Sequence, residues 1–226
     1  MSTKLKLLTA VLIGLAIFTL WPGGEADQSS SSMRVWNAHL DAQGRLHVLG
    51  VVLGQSTLKQ AEAALHSQSE RALFVQVERP AGAQETLEAF FPTSPDRAKI
   101  VIELDAAPEL IDRIKAQAHR PMAFPSGNIK MQIAPEHRGA VDASIVKSLT
   151  YIPPISLAPA LIERQFGQPG ERRRDADGNL HLLYPRLGLD VVVPPQDKPL
   201  LQFVPPDQFD RLLSLLDEAS DITGGQ

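Results

Sequence analysis

The chain has 226 residues, of which 43% are hydrophobic and 21% charged, which is typical of a folded globular protein. Its net charge of −4 lacks the basic excess that nucleic-acid binding normally requires. Cysteine is absent, which excludes disulfides, thiolate zinc sites, iron–sulfur clusters and cysteine nucleophiles.

The N-terminus carries an apolar run that begins at Leu7, ends at Trp21 and follows Lys4 and Lys6. A cleaved signal peptide and an uncleaved signal anchor both fit this pattern. The run is slightly short for an anchor, but the terminal Trp21 and the poor candidate cleavage site at residues 24–26 favour the anchor. Since flanking lysines stay on the cytoplasmic side, the pattern predicts a single-pass inner-membrane protein with most of the chain in the periplasm. Cleavage would instead secrete the chain into the periplasm.

The order of the periodic segments predicts the domain organisation. The signal anchor or signal peptide (1–21) precedes a flexible tether (22–33), a first module (34–120), connecting strands (121–154), a second module (155–219) and a disordered tail (220–226). Each module contains a helix, three strands and a second helix. The predicted fold class is therefore α+β: an N-terminal transmembrane helix followed by two tandem helix–three-strand–helix modules with antiparallel sheets.

The two modules share features at similar spacing, which indicates a tandem repeat. Residues 206–212 lie 98 positions after residues 108–114, and residues 166–172 lie 101 positions after residues 65–71. Near-equal offsets in the same order favour duplication. The alternative is two unrelated α+β segments that share common helix caps.

Two loops have nearly the same sequence. Residues 41–47 read Asp-Ala-Gln-Gly-Arg-Leu-His, and residues 175–181 read Asp-Ala-Asp-Gly-Asn-Leu-His. The alternating Asp175, Asp177 and Asn179 are compatible with calcium, but an EF-hand loop has its glycine at position six rather than four. The spacing therefore favours a hairpin turn.

Short sequence features precede the predicted strands of both modules. Residues 54–58 read Gly-Gln-Ser-Thr-Leu, residues 166–169 read Phe-Gly-Gln-Pro, and Tyr184 follows in the next hairpin. These features resemble the small envelope domains of the BamE (SmpA/OmlA) type, and their tandem arrangement is similar to that of beta-lactamase inhibitor protein. The first copy departs from the pattern at His66 and Gln68, and the chain has no lipobox cysteine. The resemblance implies an extracytoplasmic binding or assembly domain without catalytic residues.

Catalytic and metal-binding patterns are missing from the sequence. The six histidines form no His-x-x-x-His or His-Glu-x-x-His pair, and no nucleophile elbow, Walker A loop or dinucleotide fingerprint occurs. His181 alternates with Leu180 and Leu182, which predicts a side chain that points to solvent. The position of Asp190 in a predicted strand is compatible with a catalytic aspartate, but a polar residue on the solvent-exposed face of a strand is commoner. We therefore predict no catalytic residue, cofactor or metal.

The densest basic cluster lies at residues 172–174. Arg172, Arg173 and Arg174, with Tyr184, are the predicted partner-binding residues, because arginine and tyrosine are enriched at binding hot spots. The alternative is a solvated hairpin flank, since acidic residues bracket the arginines.

The predicted function follows from the membrane segment and the missing catalytic patterns. It is that of a membrane-anchored extracytoplasmic protein with a non-catalytic binding or envelope-assembly role. Its partners would be the membrane, through residues 7–21, and another envelope protein or a wall component, but no nucleic acid. The alternative is a periplasmic small-ligand-binding protein or small hydrolase with a site between the modules.

Overall fold

A computed structural model of the chain describes residues 35–76, 84–92, 97–118, 121–124, 127–175 and 177–221. The helices are α1 (Leu58–Leu65), α2 (Pro108–Ala116), α3 (Arg138–Ala143), α4 (Pro159–Phe166) and α5 (Phe209–Asp221). The strands are β1 (His39–Leu40), β2 (Leu46–Val48), β3 (Val51–Val52), β4 (Glu70–Gln76), β5 (Gln84–Phe91), β6 (Lys99–Asp105), β7 (Met122–Ala123), β8 (Asn128–Gln132), β9 (Ile145–Ile152), β10 (Glu171–Arg174), β11 (Leu180–Tyr184), β12 (Leu189–Val193) and β13 (Leu200–Phe203). Short 3-10 turns lie at Val35–Asn37, Pro135–His137 and Pro206–Gln208.

The strands form two antiparallel sheets. β1, β2 and β3 form a small sheet, and the other ten pair in the order β10-β11-β12-β13-β9-β6-β5-β4-β8-β7. β9 occupies a central position, where it pairs with β6 on one side and β13 on the other. The two halves of the chain therefore contribute to one continuous sheet.

The predicted fold class is wrong. We expected a transmembrane helix and two tandem helix–three-strand–helix modules, whereas the described residues are mostly β-sheet with five helices of 6 to 13 residues. The difference arises chiefly at β9, which we had assigned to a connecting segment. Its pairing partners β6 and β13 are distant in sequence, and local periodicity carries no information on such long-range pairing.

Among the described helices, none is long and apolar enough to cross a membrane. The longest of them, α5, has 13 residues, whereas a span needs about 20. This finding contradicts the predicted single-pass, signal-anchored inner-membrane location with a periplasmic bulk. The run from Leu7 to Trp21, on which that prediction was based, lies outside the described residues.

The ten-stranded sheet has two chemically different faces, because side chains alternate along each strand. On the helix face, buried apolar residues pack with the apolar sides of α1, α2 and α4; they include Leu73, Leu87, Ile102, Tyr151, Leu182, Val191 and Phe203. On the opposite face, here called the polar face, the buried residues include Thr86, Glu88, Thr150, His181, Asp190 and Gln202. The sheet therefore places ionisable groups on the side opposite its main core.

Helix α1 begins with a reciprocal cap. The Thr57 hydroxyl accepts a hydrogen bond from the Gln60 backbone N–H at 3.3 Å, and the Gln60 side-chain oxygen accepts one from the Thr57 N–H at 2.9 Å. This capping box satisfies two backbone donors that the helix itself leaves unpaired. It positions Leu58 and Leu65 in the core.

We expect Thr57→Ala to lower the free energy of unfolding by about 0.5–2 kcal/mol, because it removes the cap acceptor. Urea denaturation should show a lower midpoint with an unchanged slope. Thr57→Ser keeps the hydroxyl and is the control. An alanine variant with the midpoint of the parent chain would show that the cap contributes nothing.

Candidate partner-binding hairpin

Strand β10 forms one end of the ten-stranded sheet. It pairs with β11 in an antiparallel hairpin, with Arg173 opposite His181 and Arg172 opposite Leu182. All four of its residues are charged, and three of them are exposed. No strand of the described part of the chain pairs with its outer side, so β10 is an edge strand.

The turn between β10 and β11 is organised by Asp175. Its Oδ1 accepts hydrogen bonds from the backbone N–H groups of Asp177 at 3.0 Å and Asn179 at 2.9 Å. Its Oδ2 accepts one from Asn179 Nδ2 at 2.7 Å. Gly178 adopts a φ of 84°, a left-handed conformation that glycine allows. The predicted hairpin turn is confirmed, and the Asp175 carboxylate accepts hydrogen bonds from backbone N–H groups of the turn itself.

The related sequence at residues 41–47 forms the same turn. Asp41 Oδ1 accepts from the N–H groups of Gln43 at 2.9 Å and Arg45 at 3.0 Å, and His47 Nε2 lies 3.0 Å from Asp41 Oδ2. The two loops therefore share one arrangement, in which an aspartate accepts hydrogen bonds from the backbone of its turn and contacts the histidine six positions later. They differ in burial, since the His47 side chain is 30% exposed and that of His181 is 1% exposed.

His181 lies between two carboxylates inside the protein. Its Nδ1 is 2.8 Å from Asp190 Oδ2, and its Nε2 is 3.5 Å from Asp175 Oδ2. The prediction that His181 points to solvent is wrong. Its side chain does alternate away from the core leucines, but β12 lies beside β11 and directs Asp190 to the same face of the sheet. The His181–Asp190 pair thus connects the hairpin turn to the sheet interior.

The charges of this cluster alter its proton affinity. Burial by itself lowers the pKa of His181, but the hydrogen bonds and charges of Asp190 and Asp175 outweigh it and raise the pKa above its ordinary value. Burial raises the pKa of Asp190 against the opposing effect of His181. The folded chain therefore holds these protons to higher pH than the unfolded chain does. The stability that the pair contributes is complete at acid pH and falls as the pH rises through the raised pKa values.

A tight turn holds β12 in register. Gly188 has a φ of 72°, and a Cβ at this position would lie 2.1 Å from the Val204 carbonyl oxygen. The Val204 N–H donates a hydrogen bond to the Gly188 carbonyl at 2.9 Å. This close backbone approach requires glycine and fixes the start of the strand that carries Asp190.

Tyr184 lies on the helix face and not on the surface of the hairpin. Its hydroxyl donates a hydrogen bond to the Gly167 carbonyl at 3.1 Å, and its ring centroid lies 5.9 Å from that of Phe166. The centroid of the Trp36 ring also lies 5.2 Å from that of Phe166. Burial raises the pKa of Tyr184 to about 12. Tyr184 is therefore part of the aromatic core around α4.

The three arginines of β10 point to two sides of the sheet, because side chains alternate along the strand. Arg172 pairs with Glu163 at 2.9 Å and donates to Gln168 Oε1 at 2.8 Å. Arg174 donates to the Gly178 carbonyl at 3.1 Å. Arg173 lies on the polar face, where it pairs with Glu171. The structure thus divides the arginines between the two faces of the sheet: Arg172 lies on the helix face near the buried Tyr184, and Arg173 lies on the opposite face.

Glu88, on β5, is a second buried carboxyl group on the polar face. It is 4% exposed and accepts a hydrogen bond from the Thr86 hydroxyl at 3.2 Å. Burial, reinforced by the negative charge of Glu103, raises its pKa to about 8, although Thr86 and Lys130 act in the opposite direction. Glu88 is therefore protonated at neutral pH.

Sequence reasoning missed the charge cluster beneath the hairpin. The informative signal was the repeated seven-residue motif of residues 41–47 and 175–181, which places a histidine six residues after a turn-forming aspartate in both loops. Among the residues that the structure describes, no three His, Asp or Glu side chains are grouped so as to hold a metal ion.

The chain matches no protein-family model, no curated protein and no solved structure. The resemblance to BamE-type domains therefore stays a prediction.

Proposed function

We propose that the protein has a non-catalytic binding function and that β10 carries its partner-binding surface. One observation supports this proposal above the others: the ten-stranded sheet ends in a strand of four charged residues, three of them arginines. Arginine is enriched at binding hot spots because its guanidinium group forms several directed hydrogen bonds. The predicted partner class, another envelope protein or a wall component, stays a prediction.

The buried cluster supports this surface rather than a reaction. His181 and Asp190 have the chemistry of an acid–base pair, but the imidazole is 1% exposed and both its nitrogens face carboxylates. A general base must come within hydrogen-bonding reach of the proton that it abstracts. In this geometry the pair instead fixes Asp175, and through it the turn that presents β10.

The test is a triple charge reversal, Arg172→Glu/Arg173→Glu/Arg174→Glu, in the full-length chain. We expect affinity capture from a native extract to lose the partner that the parent chain binds. The free energy of unfolding should change by no more than about 2 kcal/mol, since the variant removes two surface ion pairs and each contributes about 1 kcal/mol or less.

The matched control reverses three exposed arginines elsewhere, Arg113→Glu/Arg138→Glu/Arg211→Glu, and changes the net charge equally. It should retain the partner. Capture that survives reversal of the β10 arginines, or is lost equally in the control, would contradict the proposal.

A further inference from the structure

Strand β10 offers backbone hydrogen-bonding groups on its outer side. Residue pairs along an antiparallel ladder alternate between hydrogen-bonded and non-hydrogen-bonded types. The Asp175 N–H donates to the Asn179 carbonyl at 3.1 Å, so Asp175 and Asn179 form a hydrogen-bonded pair. Two positions along the ladder, Arg173 and His181 form the next hydrogen-bonded pair, and the backbone groups of Arg173 therefore point toward β11. The backbone N–H and C=O groups of Arg172 and Arg174 therefore point away from β11, as on any edge strand.

The side chains of β10 determine which strand can pair there. Residues directly opposite each other in neighbouring strands have Cβ atoms about 4.5–5.5 Å apart, and like charges in that position are destabilising. A second copy of β10 would place arginine against arginine. A strand with acidic residues at consecutive positions would meet Arg172 and Arg174 on one side of the sheet and Arg173 on the other.

The existing contacts of Arg172 and Arg174 are weak enough to be replaced by contacts with acidic side chains of a partner strand. Arg172 pairs with Glu163 although its side chain is 46% exposed, and such solvated pairs contribute little to stability. Arg174 donates to a carbonyl oxygen and not to a carboxylate. Carboxylates from a partner strand would offer both guanidinium groups charged acceptors, which form stronger hydrogen bonds than neutral ones.

We infer that the free edge of β10 accepts an extended acidic peptide segment as an eleventh strand of the sheet. This inference depends on the proposed function and names the chemistry of its partner. Backbone hydrogen bonds to Arg172 and Arg174 would supply affinity, and the arginines would select for acidic side chains. The same arginines disfavour pairing between two copies of the chain.

A fluorescent peptide of about eight residues, with glutamate at its central positions and threonine and valine at its ends, is a suitable ligand for the test. We expect it to bind the full-length chain and to protect the amides of Arg172 and Arg174 from hydrogen exchange. Replacing its glutamates by glutamine should weaken binding by about tenfold or more.

Two variants at one position separate backbone pairing from charge. Arg172→Pro and Arg172→Ala lose the same charge, but only proline removes the outward N–H, and proline is tolerated on an edge strand with that orientation. We expect the proline variant to bind the acidic peptide about tenfold more weakly than the alanine variant, the effect of one to two lost hydrogen bonds. Equal stability of the two variants, measured by thermal melting, would show that both are folded.

Three results would overturn the inference. In the first, the peptide fails to bind the parent chain. In the second, Arg172→Pro and Arg172→Ala bind the peptide equally, and the peptide does not protect the amides of Arg172 and Arg174 from hydrogen exchange. In the third, the parent chain forms a dimer that Arg172→Pro dissociates. Each would leave the proposed function standing if the β10 charge reversal still abolished capture from the extract. If the β10 charge-reversal variant still captured the partner, the proposed function itself would be refuted.

Discussion

The Glu88→Gln variant should be more stable than the parent chain above pH 8 and about equally stable below pH 4.5. Glu88 is 4% exposed, and burial raises the pKa of its carboxyl group from 4.5 to about 8. Glutamine has the same shape and stays neutral at every pH. The variant therefore removes the cost of ionising this buried group.

The sign of the effect follows from proton binding. Below pH 4.5 the carboxyl group is protonated in both the folded and the unfolded chain, so it adds no pH dependence. Between pH 4.5 and about 8 only the folded chain keeps the proton, so the stability of the parent falls as the pH rises. At 1.36 kcal/mol per pH unit, this interval corresponds to a loss of about 5 kcal/mol.

Urea denaturation between pH 4 and pH 9 measures the difference between the two chains. The His181–Asp190 pair adds a slope of the same sign, but that slope is common to both chains and cancels in the comparison. Glu85→Gln is the control, because Glu85 lies three positions earlier on the same strand and its ion pair with Lys115 is partly exposed. It should shift stability by about 1 kcal/mol at most. Parallel pH profiles for the Glu88→Gln and parent chains would show that Glu88 is ionised when folded.

Local periodicity located several strands but not their arrangement. Leu182 and Tyr184 alternate with residues of the opposite face, so the strand that became β11 could be found in the sequence. β10 contains only charged residues and shows no such alternation, so it was missed. The joining of the two halves through β9 depends on pairing with β6 and β13, which no local pattern encodes.

The limits were similar at the candidate site. The arginine cluster at residues 172–174 was recognisable from charge alone, and the turn from the position of Gly178. The burial of His181 could not be recognised from the sequence, because alternation shows only that a side chain points away from one face of a strand. Whether the other face is wet depends on the neighbouring strand, here β12 with Asp190. Tyr184 was misplaced for the same reason, since α4 covers its face of the sheet.

Asp190→Ala should lower the free energy of unfolding by about 3–5 kcal/mol, because it removes the nearer carboxylate partner of the buried His181 and leaves only Asp175, at 3.5 Å from Nε2. Asp190 is fully buried, and its Oδ2 lies 2.8 Å from His181 Nδ1. Without that carboxylate, His181 loses the partner that raises its pKa and holds its ring. Its contact with Asp175 and the turn should loosen as well.

A double variant distinguishes the pair from simple loss of packing. Replacing a buried ion pair by apolar residues is often neutral or stabilising, so His181→Leu/Asp190→Leu should recover most of the stability that Asp190→Ala loses. A double variant as unstable as the single one would show that packing, and not an unpaired charge, causes the loss.

The same variants connect the buried cluster to the binding edge. In Asp190→Ala, hydrogen exchange should speed up in β10 and β11 more than in β4 and β5, because His181 and Asp190 contact the β10–β11 hairpin and not the β4–β5 hairpin. Binding of the acidic peptide should weaken together with this protection, since an edge strand must be ordered before it can accept another strand. Uniform acceleration across the whole sheet, with peptide affinity intact in the remaining folded fraction, would show that His181 and Asp190 stabilise the fold without positioning β10.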